Sequence, residues 1–403
     1  MIGEVRIENY KSIQKLKLEL GRVTVLIGEN GCGKSNILEA IALASAAAND
    51  KLDNEFLAAR GIRVTEPQLM RSAFEKETLV KDIKIELRGN EGKPFSCILQ
   101  NDNYPYSQWV STDSVVDPKT SPENLDKLII KLLNEERGIT EDSMLSKPTS
   151  MKQLNKSQQQ VVRIRKKLTN SIRRRWIRMN YLDNFLIYSP ENSALRTFER
   201  EGQIQPLGIN GEGLFKLINF LNLNLDKNQD KVHEIKEKLR LIDWFKDFEV
   251  PQNISAMQNS IQIKDRYLDI DLTSFDQRSS NEGFLFLLFY FTLFISDLTP
   301  KFFAIDNIDA SLNPRLCRRL IQELVELAKK HDKQVIFTTH NPAVLDGLDL
   351  DDDEQRLLVI SRNQLGYTKA RRILKPKPLE GQEPVKLSEA FLRGYIGGLP
   401  KNF

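Results

Sequence analysis

Residues Gly28-Glu29-Asn30-Gly31-Cys32-Gly33-Lys34-Ser35 place three glycines, an amine and a hydroxyl in one short run. The chemistry such a run suits is the grip of a polyphosphate. Glycines let the backbone bend until successive N–H groups point inward at one anion. Lys34 then reaches the outer phosphates, and the Ser35 hydroxyl ligates the accompanying Mg²⁺. The spacing fits G-x-x-x-x-G-K-[ST] completely, which points to ATP with Mg²⁺ as the bound species. Two further segments carry groups for the same chemistry. The apolar run Phe302-Phe303-Ala304-Ile305 ends in Asp306, as a buried strand delivering one carboxylate to the metal would. The apolar run 334–337 ends in Thr338-Thr339-His340-Asn341-Pro342. A histidine at that strand end can hydrogen-bond a terminal phosphate; the plainer alternative is a polar loop residue.

These side chains need elements to hold them. The alternation of Val5 and Ile7 with charged residues, and then of Leu16, Leu18 and Leu20, predicts two half-buried strands. Residues 23–27 are mostly apolar, as in a strand buried on both faces, and 36–48 predict a helix. Further on, 185–188 predict a strand, and 208–222 a glycine-rich turn becoming a helix. Beyond these lie strands at 302–305, 334–338 and 356–361, with a helix at 314–330. Strand and helix in alternation imply a parallel sheet flanked by helices, an α/β fold.

Between the two halves the texture changes. From 104 to 182 apolar content drops, and no acidic residue occurs from Met151 to Leu182, a stretch holding ten Lys and Arg. This predicts an inserted helical, basic arm at 104–182, between head segments 1–103 and 183–403. Arg163, Arg165, Lys166, Lys167, Arg173, Arg174, Arg175 and Arg178, with Trp176 and Tyr181 nearby, suit nucleic-acid phosphates and bases. They equally suit an acidic partner, or a solvated face whose arginines pair with acids elsewhere in the fold.

Composition narrows the class. The 403 residues are 40% apolar and 28% charged, with a net charge of +4, as in an ordinary globular protein. The strongly apolar run 284–295 suits a buried core helix and is too short to cross a bilayer. The first ten residues lack the basic-then-apolar pattern of a secretory signal. Cys32, Cys97 and Cys317 fit neither a zinc spacing nor a disulfide framework, so a cytoplasmic protein without membrane contact is expected. His233 and His331 lie in charged helical text and read as surface residues.

Taken together, these motifs resemble the ABC-type ATPase superfamily, in its branch of RecF, SMC and OLD-like AAA ATPases. The opening Ile7-Glu8-Asn9-Tyr10-Lys11-Ser12-Ile13 is similar to that branch's I-x-N-F-K-S start, and 28–36 to its G-x-N-G-x-G-K-S-N. The resemblance covers about residues 1–50 and 185–400. It implies an ABC-type ATPase head, with a mixed or parallel sheet flanked by helices, carrying the helical arm as an insertion. Asn30, Gly31, Gly33, Lys34, Ser35 and Asn36 would contact nucleotide, and Ser35 and Asp306 the metal. Tyr10 and Lys11 would either touch the base or α-phosphate or simply pack. Gln68 is a candidate for positioning water, although its surroundings read as a turn.

In that family, ATP is sandwiched in a homodimer, and the second protomer supplies a signature loop at a helix start. The matching loop is Ser279-Ser280-Asn281-Glu282-Gly283, with Ser280 and Gly283 as contacts in trans; a plain helix N-cap also accounts for Ser280. Asn281 stands where the branch often has Ser. The sequence departs again after Asp306, where the family's catalytic Glu is replaced by Asn307. An amide orients water without accepting its proton, so hydrolysis is expected to be slow or to rely on Asp309, with His340 sensing the γ-phosphate. The strings around 305–314 and 338–342, with Gly397 to Pro400, resemble Septu-type ATPases of bacterial anti-phage operons. That implies a separate nuclease or toxin partner, with assembly beyond a dimer left open. The alternative is a RecF- or SMC-like ATPase acting on DNA.

Overall fold

The computed structural model describes residues 1–89, 94–104, 106–114, 173–250, 261–269, 274–375 and 385–399. β1 (Ile2–Tyr10) and β2 (Ile13–Glu19) form a hairpin. With β4 (Ile83–Gly89), β5 (Phe95–Gln100) and β6 (Val110–Ser114) it makes an antiparallel sheet in the order β2-β1-β4-β5-β6. A six-stranded sheet runs β14-β13-β3-β12-β11-β7. In it β3 (Val23–Ile27), β7 (Ile187–Tyr188), β11 (Phe302–Ile305), β12 (Gln334–Thr339) and β13 (Gln355–Arg362) are parallel, and β14 (Thr368–Ile373) is an antiparallel edge. β8 (Phe245–Glu249), β9 (Gln262–Asp265) and β10 (Phe275–Asp276) form a small third sheet. The helices are α1 (Lys34–Ala48), α2 (Asn54–Ala59), α3 (Pro67–Met70), α4 (Asn192–Leu195), α5 (Leu214–Leu223), α6 (Leu225–Leu239), α7 (Glu282–Ile295), α8 (Pro314–Lys330) and α9 (Leu387–Leu392). None among the described residues is long and apolar enough to cross a membrane.

The burial pattern explains the sequence texture. In β3, Val23, Val25 and Ile27 join the core formed with α5, α7 and α8, whereas Leu26 faces the core around α1. A strand buried on both faces shows no alternation. Helix α1 is packed between the two large sheets and its run of alanines permits that close approach. Helix α7 is buried around its whole circumference from Phe284 to Ile295, with Phe294 edge-on to Phe303 at 5.2 Å. That accounts for an apolar run with no polar face.

Several expectations are corrected. The strand predicted at 185–188 pairs only over Ile187–Tyr188, at the edge of its sheet. By contrast, the 208–222 segment is, as expected, a glycine-rich turn that becomes a helix, here from Leu214. His331 is not a free surface residue, since its Nε2 meets Glu234 at 3.0 Å. Part of the stretch expected to be arm belongs to the head. β6 pairs with β5, and residues 173–179 form helix against it, with Trp176 stacked on Phe95 at 5.6 Å. Arg173 caps α1, donating to the carbonyls of Ala47 and Ala48 at 3.1 Å and pairing with Asp50 at 2.9 Å. It is one of the arginines whose partner lies within the fold. Arg174, Arg175 and Arg178 are exposed, while Arg163, Arg165, Lys166 and Lys167 lie outside the described residues.

One buried amide joins the two large sheets. Gln334 accepts the Ile2 N–H at 2.9 Å and donates to the carbonyls of Ile2 at 2.7 Å and Gly21 at 2.9 Å. Three lost bonds, with backbone groups stranded in the core, make Gln334→Ala destabilising by roughly 2–4 kcal/mol. Urea unfolding of the variant against wild type measures this.

Candidate functional site

Strand register builds the site. Ile305 lies beside Phe337, and Phe337 beside Val25, so the three chains leave β11, β12 and β3 side by side at one sheet edge. The loop after β3 then bends sharply. A Cβ on Gly28 would lie 2.1 Å from the Ile360 carbonyl oxygen. Gly33 has φ +106°, and its Cβ would lie 2.2 Å from Thr368 Oγ1. Both positions therefore require glycine. Helix α1 begins at Lys34 and points its N-terminus into the loop, where its partial positive charge favours an anion.

Lys34 Nζ donates to the carbonyls of Gly28 at 2.9 Å and Glu29 at 3.1 Å. Burial lowers its pKa, against the opposing pull of Cys32 and Asp306. The ammonium is thus held over the loop it serves, where phosphate oxygens can compete for it. Ser35 Oγ donates to Asp306 Oδ2 at 3.1 Å. On the other side Thr338 Oγ1 donates to Asp306 Oδ1 and accepts the Asn307 N–H at 2.9 Å. A hydroxyl and a carboxylate brought together in this way are hard oxygen donors suited to Mg²⁺, which usually takes one or two protein ligands along with phosphates and water. Ser35 and Asp306 would hold Mg²⁺ there, and the ion would supply positive charge against the phosphates.

The turn after Asp306 is tightly wound. Asn307 is exposed at φ +56° and Ser311 sits at φ +59°. Asp309 accepts from Thr339 Oγ1 at 2.6 Å, and the same hydroxyl accepts the Asn341 N–H at 2.9 Å. His340 lies in the same turn, exposed. Burial first and Lys34 second lower the His340 pKa, with Asp309 and Asp306 opposing. Thr338 and Thr339, read from sequence only as flanks of His340, are the connectors that hold both acids. Their signal was the paired hydroxyls at a buried strand end.

The structure brings Lys34, Ser35, Asp306, Asn307, Asp309 and His340 to one edge. Lys11 is differently engaged. Its Nζ is paired with the buried Glu39 and donates to the Arg63 carbonyl at 2.9 Å, while Arg63 Nε also bonds Glu39 at 2.6 Å. Tyr10 donates to Glu39 at 3.1 Å from a fully buried position, the packing alternative for that residue. Asn36 reaches Ser12 at 2.7 Å, and Ser12 reaches Thr368 at 2.6 Å, so α1, the β1–β2 turn and β14 are tied together. Lys11, Asn36, Arg63, Arg71, Phe74 and Arg362 line a groove of about 370 Å³ beside the loop. Gln68 instead lines a separate cleft of about 880 Å³ with Glu66, Tyr104 and Trp109, to which no phosphate-loop residue contributes. Asn30 and Gly31 lie on the exposed rim of the loop.

At the start of α7 the N-cap is Asn281, not Ser280. Asn281 has φ −71° and ψ 155°, and its side chain accepts the Phe284 N–H at 2.9 Å. The Ser280 hydroxyl is buried without a hydrogen-bond partner among the described residues. Asn281 is exposed, and Gly283, half-buried, adds no bulk at the helix start. Reasoning from sequence could not choose between two good capping types in adjacent positions.

A glycine-rich loop opening a helix, with Asp306 and His340 at the same edge of a mixed sheet, is the arrangement of a P-loop ATPase head. Residues 23–346 match the family described as "AAA domain, putative AbiEii toxin, Type IV TA system", and the chain belongs to that family. The DNA replication and repair proteins RecF of Bacillus thuringiensis (strain Al Hakam) and Bacillus cereus (strain B4264) are each 38% identical over 55 residues. That match spans 13% of this chain and 15% of the length of those relatives. An SMC head bound to the C-winged helix domain of ScpA superposes with a TM-score of 0.54 at 14% identity, covering 93% of this chain and 98% of that one. The fold is that of an SMC head.

Thr338→Val removes the hydroxyl between Asp306 and the Asn307 N–H while keeping the shape. Loss of two buried bonds at the acid should weaken Mg²⁺-dependent ATP binding by roughly tenfold, with a smaller change in EDTA. Titration with a fluorescent ATP analogue, with and without Mg²⁺, reads both numbers.

Proposed function

We propose that this chain is a cytoplasmic, nucleotide-gated switch in bacterial anti-phage defence. Two copies close around ATP and Mg²⁺, turnover is slow, and the closed state holds or releases a separately encoded nuclease or toxin. The observation that carries the slow-turnover reading is Asn307. It occupies the place of the family's general base, follows the metal acid directly, and presents an amide to solvent. An amide positions water without taking its proton, and losing a general base costs roughly 10²- to 10⁴-fold. Asp309, held by Thr339, is the nearest carboxylate in the same turn that could act in its place. The family's own description names a toxin system, which supports a toxin as the controlled effector.

In the dimer, Lys34, Ser35 and Asp306 serve the nucleotide in one protomer, Asn307 and Asp309 address the attacking water, and His340 reads the terminal phosphate. The Asn281–Gly283 helix start meets the same nucleotide from the other protomer, with Asn281 in the part first given to Ser280. The 55-residue RecF match favours a second reading, in which hydrolysis answers to DNA and the exposed Arg174, Arg175 and Arg178 contribute phosphate contacts. DNA-stimulated turnover would select it.

Single-turnover hydrolysis is the direct test. Asn307→Glu should accelerate it by about 10²-fold or more, and Asp309→Ala should slow it by at least about tenfold. Fast wild-type hydrolysis that Asp309→Ala leaves untouched would sink the slow-switch reading.

A further inference from the structure

Arg196 follows α4 and turns its guanidinium onto the loop ahead of α7. It donates to the carbonyls of Gln277 at 3.0 Å, Arg278, and Ser280 at 2.7 Å. Its Nε is steadied by Asn192 Oδ1 at 3.0 Å. Those three carbonyls belong to the turn that sets Asn281 at the helix cap. A planar fork of donors can serve several oxygens at once, and a cationic donor makes each bond stronger than a neutral one. Lysine, a point charge on a flexible stem, cannot reproduce this.

The segment carrying Arg196 is continuous with the metal site. It follows β7, whose Tyr188 carbonyl accepts the Asp306 N–H at 2.8 Å. A second tie reaches the same helix start from the other side, since Ser311 Oγ, in the turn after Asp306, donates to Glu282. The loop offered to a partner's nucleotide is therefore fixed at two points, each leading back to Asp306 in the protomer's own site.

We infer that Arg196 is the positioning residue of the signature loop. It sets Asn281 and Gly283 for the nucleotide bound by a second copy of this chain, and it couples that presentation to Asp306. The inference rests on the dimer reading above.

The test compares wild type, Arg196→Gln and Arg196→Lys in two assays. Fluorescent ADP binding to the monomer reads the protomer's own site, and native mass with ATP and Mg²⁺ reads dimer formation. Arg196→Gln should leave ADP affinity within about twofold while weakening the ATP-dependent dimer by at least about tenfold, with Arg196→Lys intermediate. Mixing Arg196→Gln with Lys34→Ala adds a readout that a merely structural defect would not move. In the mixed dimer one site has an intact phosphate loop and an intact signature loop, so the mixture should regain ATP-dependent dimer that neither variant forms alone. A wild-type protein that stays monomeric in ATP would overturn both the dimer reading and this inference. If wild type dimerises, then an Arg196→Gln dimer within twofold of it, or a mixture no better than its parts, overturns the inference alone. If Arg196→Gln loses its cooperative melt, Asn192→Ala replaces it, and an unweakened dimer there is equally fatal.

Discussion

The Asp306 carboxylate is held between two hydroxyls, Ser35 from the head of α1 and Thr338 from the end of β12. Hydrogen bonds from hydroxyls to a carboxylate are among the stronger ones available to a protein. Each of these two comes from a different element, so the acid makes one site out of three strand ends. Parallel pairing makes this possible: neighbouring strands that run the same way deliver their C-terminal ends to one edge. The same Thr338 also holds the Asn307 N–H, which fixes the turn leading to Asp309. Moving Asp306 would therefore disturb the glycine-rich loop and the turn that follows Asp306 together.

The parts of this arrangement legible in the sequence are those whose burial leaves a local pattern. Strands β3, β11 and β12 are apolar on both faces and bounded by motif residues, so their limits could be read to within a residue. Helix α8 announces its start through the Asn313 cap and Pro314 in the first turn. Strand β7 was read too long because Phe185 and Leu186 are buried by the core, although only the Leu186 carbonyl, accepting the Ala304 N–H at 2.9 Å, reaches β11. Strands β4 to β6 went unread as a sheet; β4 joins it by a long-range pairing with β1, and β5 and β6 then add on as sequence neighbours. The place of Lys11 was hidden for the same reason. Its partners Glu39 and Arg63 stand 28 and 52 residues away and leave no periodic trace.

Both large sheets act on the phosphate loop. The antiparallel sheet reaches it through Ser12, which bonds Asn36 just beyond Ser35. The mixed sheet reaches it through Thr368, which donates to the Cys32 carbonyl and accepts from Ser12. Gln334 locks the two sheets at the opposite end of the same strands. Helix α1, alanine-rich and buried between them, has no room to tilt independently. A change at the loop is accordingly felt by two layers at once.

Asn307 admits a conformational explanation that competes with the catalytic one. Its φ of +56° lies where asparagine is enriched and glutamate is not. Adopting that region costs an ordinary residue about 1–2 kcal/mol. A general base contributing 10²- to 10⁴-fold is equivalent to about 3–5 kcal/mol of barrier. The backbone preference is thus the smaller effect, and by itself it does not account for giving up a base where rapid turnover is the aim. The conformation permits asparagine at this position, and under the slow-switch proposal the amide, which cannot take the water's proton, is what keeps turnover low.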